Sequence, residues 1–101
     1  MVEPLALRVM WARQMGKRIK IMLRDAGLTM AQIRILTGVS WEPRCAGRVM
    51  PSALEIAMLC ELLDIPADYL FGQTEQKPKP RALDWERMVE NELRESPQTS
   101  P

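Results

Sequence analysis

L-T-M-A-Q-I-R-I-L-T-G-V-S-W-E-P-R-C-A-G-R-V-M-P-S, from Leu28 to Ser52, is the stretch on which the reading of this chain turns. It predicts two short helices joined by a tight turn at Thr37-Gly38-Val39. Thr29 followed by Gln32 is a capping box: the hydroxyl takes an orphan backbone N–H and the amide reaches back. Gly38 stands where a chain leaving a helix needs positive φ, which glycine adopts at little steric cost. Ser40 offers a second N-cap.

Helix, three-residue turn, helix is the spacing of a DNA-reading helix-turn-helix. It is equally the spacing of an αα-corner in any small helical domain. Working outward, a first helix is expected from about Leu5 to Ala26. Its inward stripe is Trp11, Met15, Ile19, Met22 and Ala26, at spacings of three and four. Gly16 interrupts it, at about 1 kcal/mol relative to Ala, so Leu5 to Met15 is either continuous with it or a separate, bent helix. In the second helix Ile33 faces the core, helped by Met30 and Leu36, and Ile35 is left over. The third starts at Ser40 with Pro43 in its first turn and Gly47 close behind, so it is one or two turns long. Ser52 and Glu55 form a second capping box opening a fourth helix to Asp64, with Leu54, Ala57, Met58 and Leu62 inward. Pro66 opens a fifth, with Tyr69, Leu70 and Phe71 as its apolar face and Gly72 as its end. Residues 73–80, Q-T-E-Q-K-P-K-P, read as a linker. Residues 81–95 read as a sixth helix, with Ala82, Trp85, Val89 and Leu93 on one face and Met88 beside them. Residues 96–101 are expected to be disordered.

The chain of 101 residues fits one domain. Its aromatic content of 5% against eight methionines leaves Leu, Ile and Met to build the core. The net charge of +1 hides an asymmetry. Residues 1–50 hold nine Lys or Arg and three acids, a sum of +6, whereas residues 51–101 hold five and ten, a sum of −5. The corner lies in the positive half, which suits a phosphate-facing surface, although solvated helix faces also look like this. The two cysteines, Cys45 and Cys60, without any His or C-x-x-C spacing, argue against zinc. Cys60 reads as a small core residue, and no disulfide framework is expected, so a reducing cytoplasm is the expected compartment. No apolar run approaches a membrane span, and residues 1–11 do not resemble a signal peptide. No cofactor pattern and no catalytic set emerges, so an enzyme is not expected.

In order along the chain, R-I-K at 18–20, Gly27-Leu28-Thr29, Gly38-Val39-Ser40, Gly47-Arg48, Pro51-Ser52 and L-L-D-I-P-A-D-Y-L-F-G at 62–72 resemble the Cro/repressor-type, or XRE-like, helix-turn-helix family. The resemblance covers Gly16 to Gly72. It implies an all-α fold: a compact five-helix repressor-like domain over residues 1–72, to which this chain adds the C-terminal helix. It also implies that the third helix enters the major groove. Four features depart from the family pattern. Arg34 stands where Ala usually lets the two helices pack, Thr37 replaces a Leu, and Met30 replaces a phosphate-touching Gln. The stretch from Ser40 to Gly47 is shorter by about three residues.

The candidate DNA-binding residues are Thr29, Gln32, Arg34, Ser40, Trp41, Glu42, Arg44 and Arg48. Arg44 and Arg48 have the reach for a guanine edge or a phosphate. Glu42 accepts from a cytosine or orients Arg44. Trp41 touches a thymine methyl or sugar, or is a core anchor beneath the turn. Thr29 and Gln32 either cap or bind phosphate, and Arg34 binds phosphate or is merely solvated. Lys17 and Lys20 read first as plain helix surface and second as phosphate contacts, and with Arg8, Arg13 and Arg24 they fall mostly off the apolar stripe. Trp85, Met88, Val89 and Leu93 are the candidate oligomer or partner surface. The expected function is a sequence-specific, double-stranded-DNA-binding transcriptional regulator, a small dimeric Cro-like or immunity-type repressor of phage or prophage kind. The alternative is a protein-interaction module, antitoxin-like or antirepressor, that keeps the fold without standard DNA reading.

Overall fold

A single 22-residue helix, α1 (Pro4–Asp25), is the spine against which the other elements pack. The structure is a computed structural model that describes residues 4–95. Five helices follow: α2 (Met30–Thr37), α3 (Glu42–Cys45), α4 (Ala53–Leu63), α5 (Ala67–Leu70) and α6 (Trp85–Glu95). The described residues are helical with no strand, so the chain is all-α. The expected tail at 96–101 lies outside the described residues, as does the side chain of Leu93.

Gly16 does not bend α1. A methyl group built on it would stand 2.5 Å from the Cys45 carbonyl oxygen and 2.6 Å from that of Arg44. The glycine is therefore the notch that lets the backbone of α3 lie directly on α1. Around this contact Met15, Ile19, Met22, Leu23, Ile33 and Leu59 form a closed apolar core with Trp41, Leu63 and Leu70. Burial of this kind, at about 25 cal/mol per Å² of apolar surface, is the main favourable term in folding.

Two inward stripes differ from expectation. Trp11 is 43% exposed, and Ala12 takes the buried place beside Met15. The core ends at that level, and α1 continues past it with Leu7, Val9 and Met10 also exposed. On α4 the buried residues are Ile56, Leu59 and Leu63, while Leu54 is 70% exposed and Ala57 is exposed. This helix is apolar almost all round, so periodicity alone does not fix its phase. The phase follows from its start, where Ser52 and Glu55 form the expected capping box and Glu55 turns toward α3.

Both N-terminal boxes are present, with Thr29 Oγ1 accepting from the Gln32 N–H at 3.1 Å and Ser52 Oγ from the Glu55 N–H at 3.1 Å. Gly38 ends α2 at φ 73°, as its position requires. Asp64 ends α4 at φ 55°, and the Ile65 N–H closes the turn on the Cys60 carbonyl at 3.0 Å. Pro66 precedes α5 as its N-cap rather than opening it, and Phe71 is exposed at its end.

Residues 73–84 form no helix, yet they do not hang free. Lys77 Nζ pairs with Asp25 at 3.0 Å, and Pro80 is buried. The Arg81 N–H donates to the Leu63 carbonyl at 2.7 Å, and the Leu83 N–H to that of Ala26 at 3.5 Å. This strap crosses the C-terminal ends of α1 and α4, with Leu83 packed on the core. The last helix starts at Trp85, not at 81, because Asp84 caps it: its carboxylate accepts from the Arg87 N–H at 3.2 Å. Ala82 therefore sits in the strap.

Candidate nucleic-acid interface

The corner from α2 to α3 is where the sequence places base-reading side chains, and two of them, Trp41 and Arg44, are held by the fold instead. Trp41 is 1% exposed and lies in the core. Its indole N–H donates to Thr37 Oγ1 at 3.0 Å. The same hydroxyl donates to the Ile33 carbonyl at 2.7 Å and accepts from the Val39 N–H at 3.2 Å. One donor and two acceptor positions are thus all used. A side chain held this way does not reach a base edge, and the DNA-contact expectation for Trp41 is corrected to its core reading. Thr37 is its polar partner.

Arg44 is also committed. Its Nε and Nη2 form a bidentate pair with Glu55 at 2.8 and 3.0 Å, and Nη1 donates to the Ser40 carbonyl at 2.8 Å. Both side chains are 18% exposed. Glu55 therefore orients Arg44, a role considered for Glu42. The fork ties α3 to the start of α4 instead of pointing at a guanine. The Arg44 guanidinium, with the Ser52 backbone N–H, holds the Glu55 carboxyl below the usual carboxylate range. Ser40 does not cap α3. Trp41 occupies the N-cap position with helical dihedrals, and no side chain caps the helix. Four residues with Pro43 inside them make a single turn.

Thr29 and Gln32 are engaged with each other in the capping box, Gln32 Oε1 accepting from the Thr29 N–H at 2.9 Å. Ser40, Glu42, Arg34 and Arg48 are exposed, as is Ile35 at 70%. Burial pushes the Cys45 thiol up to about 11, against the opposing charge of Lys20, so this cysteine is a packed thiol and not a reactive one.

Beside the corner α1 presents a row of cations, among which Lys17 and Lys20 were expected as phosphate contacts only in the lesser alternative. Arg13, Lys17, Lys20 and Arg24 are all exposed. Their spacings of four, three and four place them on one face, a row about 16 Å long at 1.5 Å per residue. At one end the row adjoins the exit of α3, where a methyl on Gly47 would lie 2.8 Å from Arg13 Cγ. At the other end Lys17, Lys20 and Arg24 share a groove with Thr29 and Met30 at the start of α2. Arg8 and Arg48 line a second groove with Val9 and Met50. Between residues 4 and 54 the only acids are Asp25 and Glu42, and Asp25 is held by Lys77 and Arg24.

Among the described residues no cluster of three or more His, Cys, Asp or Glu side chains is placed to hold a metal ion, and no helix is long and apolar enough to cross a membrane. Comparison with protein-family models, with curated proteins and with solved structures gives no match to this chain.

Proposed function

We propose that this chain is a double-stranded-DNA-binding regulator that grips the phosphate backbone with α1 and reads few bases. The observation that carries the reading is the cationic row Arg13, Lys17, Lys20 and Arg24, flanking the α2–α3 corner, whose one neighbouring acid, Asp25, pairs with Arg24 and Lys77. Neutralised phosphates release counterions, so such a row supplies affinity that falls steeply with salt. With Trp41 in the core and Arg44 tied to Glu55, the side chains left for base edges are Glu42 and Arg48, with Ser40 beside them. Bound at a promoter, it acts by occlusion.

The test is duplex binding across a salt titration. Replacing all four residues of the row by Ala should flatten the log–log salt dependence by about three to four units, near 0.9 per phosphate contact. Arg48→Ala should remove about 1–3 kcal/mol of preference at one base pair, whereas Arg44→Ala should lower stability before it alters sequence preference. A full-length chain that binds no duplex at low salt would refute the proposal.

One observation favours a second reading, a protein-interaction module of antitoxin or antirepressor type: the reading helix is a single turn, and both Trp41 at its N-cap and Arg44 within it serve the fold. On that reading the four-residue replacement leaves function intact.

A further inference from the structure

Two apolar surfaces remain uncovered at opposite ends of the molecule. At one end, α1 extends past the core with Leu7, Met10 and Trp11 exposed. Leu7, Trp11, Gln14 and Arg18 follow one another at spacings of four, three and four, so they form one ridge. A helix that is apolar on most sides is normally covered. At the other end, α6 carries Trp85, Met88 and Val89 on one face, with Trp85 and Met88 half-buried and Val89 exposed.

We infer that these surfaces cover each other between two copies of the chain: α6 of one copy lies along the Leu7–Trp11 ridge of the other, and reciprocally. Reach excludes the pairing within one chain. The strap holds Leu83 beside Ala26, while Met10 lies 16 residues up the same helix, about 24 Å away at 1.5 Å per residue. Val89, the last apolar residue of the described face of α6, comes six residues after Leu83 and lies no more than about 13 Å from it. The longest dimension of the molecule, 61 Å against 28 and 18 Å, agrees with ends that point apart.

Charge selects α6 as the occupant of the ridge. Residues 4–24 contain no acid, and Arg8 and Arg18 lie beside or on the ridge. Two copies of α1 packed on each other would bring like charges together. By contrast α6 carries Glu86, Glu90, Glu92 and Glu95 against Arg87 and Arg94. A two-fold axis makes the contact twice, which brings two short helix pairs toward the roughly 1,200 Å² of a stable interface. The row of cations on α1 lies on another face, so the inference stands apart from the DNA proposal.

The experiment is sedimentation equilibrium on the full chain and on two full-length variants, Trp11→Glu and Trp85→Lys, with circular dichroism to confirm that each remains helical. Wild type should dimerise. Each variant alone damages both symmetric contacts and should weaken association about a hundredfold. Mixed one to one, the variants can form a heterodimer in which one contact is entirely wild type, so association should return. A mixture that stays monomeric, a Trp85→Lys variant that dimerises like wild type, or a wild-type chain monomeric at 100-fold above micromolar concentration would each overturn the inference.

Discussion

Gly16 and Thr37 show how much one side chain decides in this chain. In an isolated helix, Gly16→Ala would stabilise by about 1 kcal/mol. Here the added methyl would meet two carbonyl oxygens of α3 at 2.5 and 2.6 Å, and backbone cannot swing aside as a flexible side chain does. Gly16→Ala should therefore destabilise by about 1–3 kcal/mol in a urea melt, the usual cost of overpacking. Thr37→Val keeps the shape but removes the acceptor that Trp41 and Val39 share. It leaves the indole N–H stranded in the core and should cost about 1–3 kcal/mol. Neither role was legible in advance. Gly16 looked like an interruption because its partner lies 28 residues further on, and Trp41 read equally as base contact or anchor until the core around it was seen. The caps were legible, because Thr29 with Gln32 and Ser52 with Glu55 act within a single turn.

At the scale of elements, α3 is too short to hold itself in place. One turn has few internal hydrogen bonds, and nucleation of a helix is unfavourable. It is fixed from outside, by the notch at Gly16 and by the Arg44–Glu55 fork. The fork gives a pH signature. The Glu55 carboxyl titrates below its unfolded value, so its stabilisation is complete above the unfolded pKa, near 4.3, and is lost as pH falls through the lower folded value. Glu55→Gln should melt below wild type at pH 7, and thermal melts should show the gap closing toward pH 3. The extent of α3 was partly readable from Pro43 and Gly47. The phase of α4 was not, because a helix with apolar residues on every side takes its orientation from its neighbours.

At the scale of the whole molecule, the strap makes residues 73–84 part of the folded body. Trimming the chain after Gly72 should lower stability by about 2 kcal/mol, since Pro80 loses a buried position and Leu83 its packing on the core. Trimming after Asp84 should cost less, in melts run at dilutions where copies do not associate, because Trp85 and Met88 are only half-buried. If the stretch were a free linker, both truncations would melt alike. Because the strap donates to the Ala26 and Leu63 carbonyls, it finishes the tail ends of two helices made well before it. During translation, α1 to α5 leave the ribosome first, with those ends open to water. The nascent chain acquires its seal only once residue 83 has emerged, so α1 to α5 are out before the cover for their ends exists.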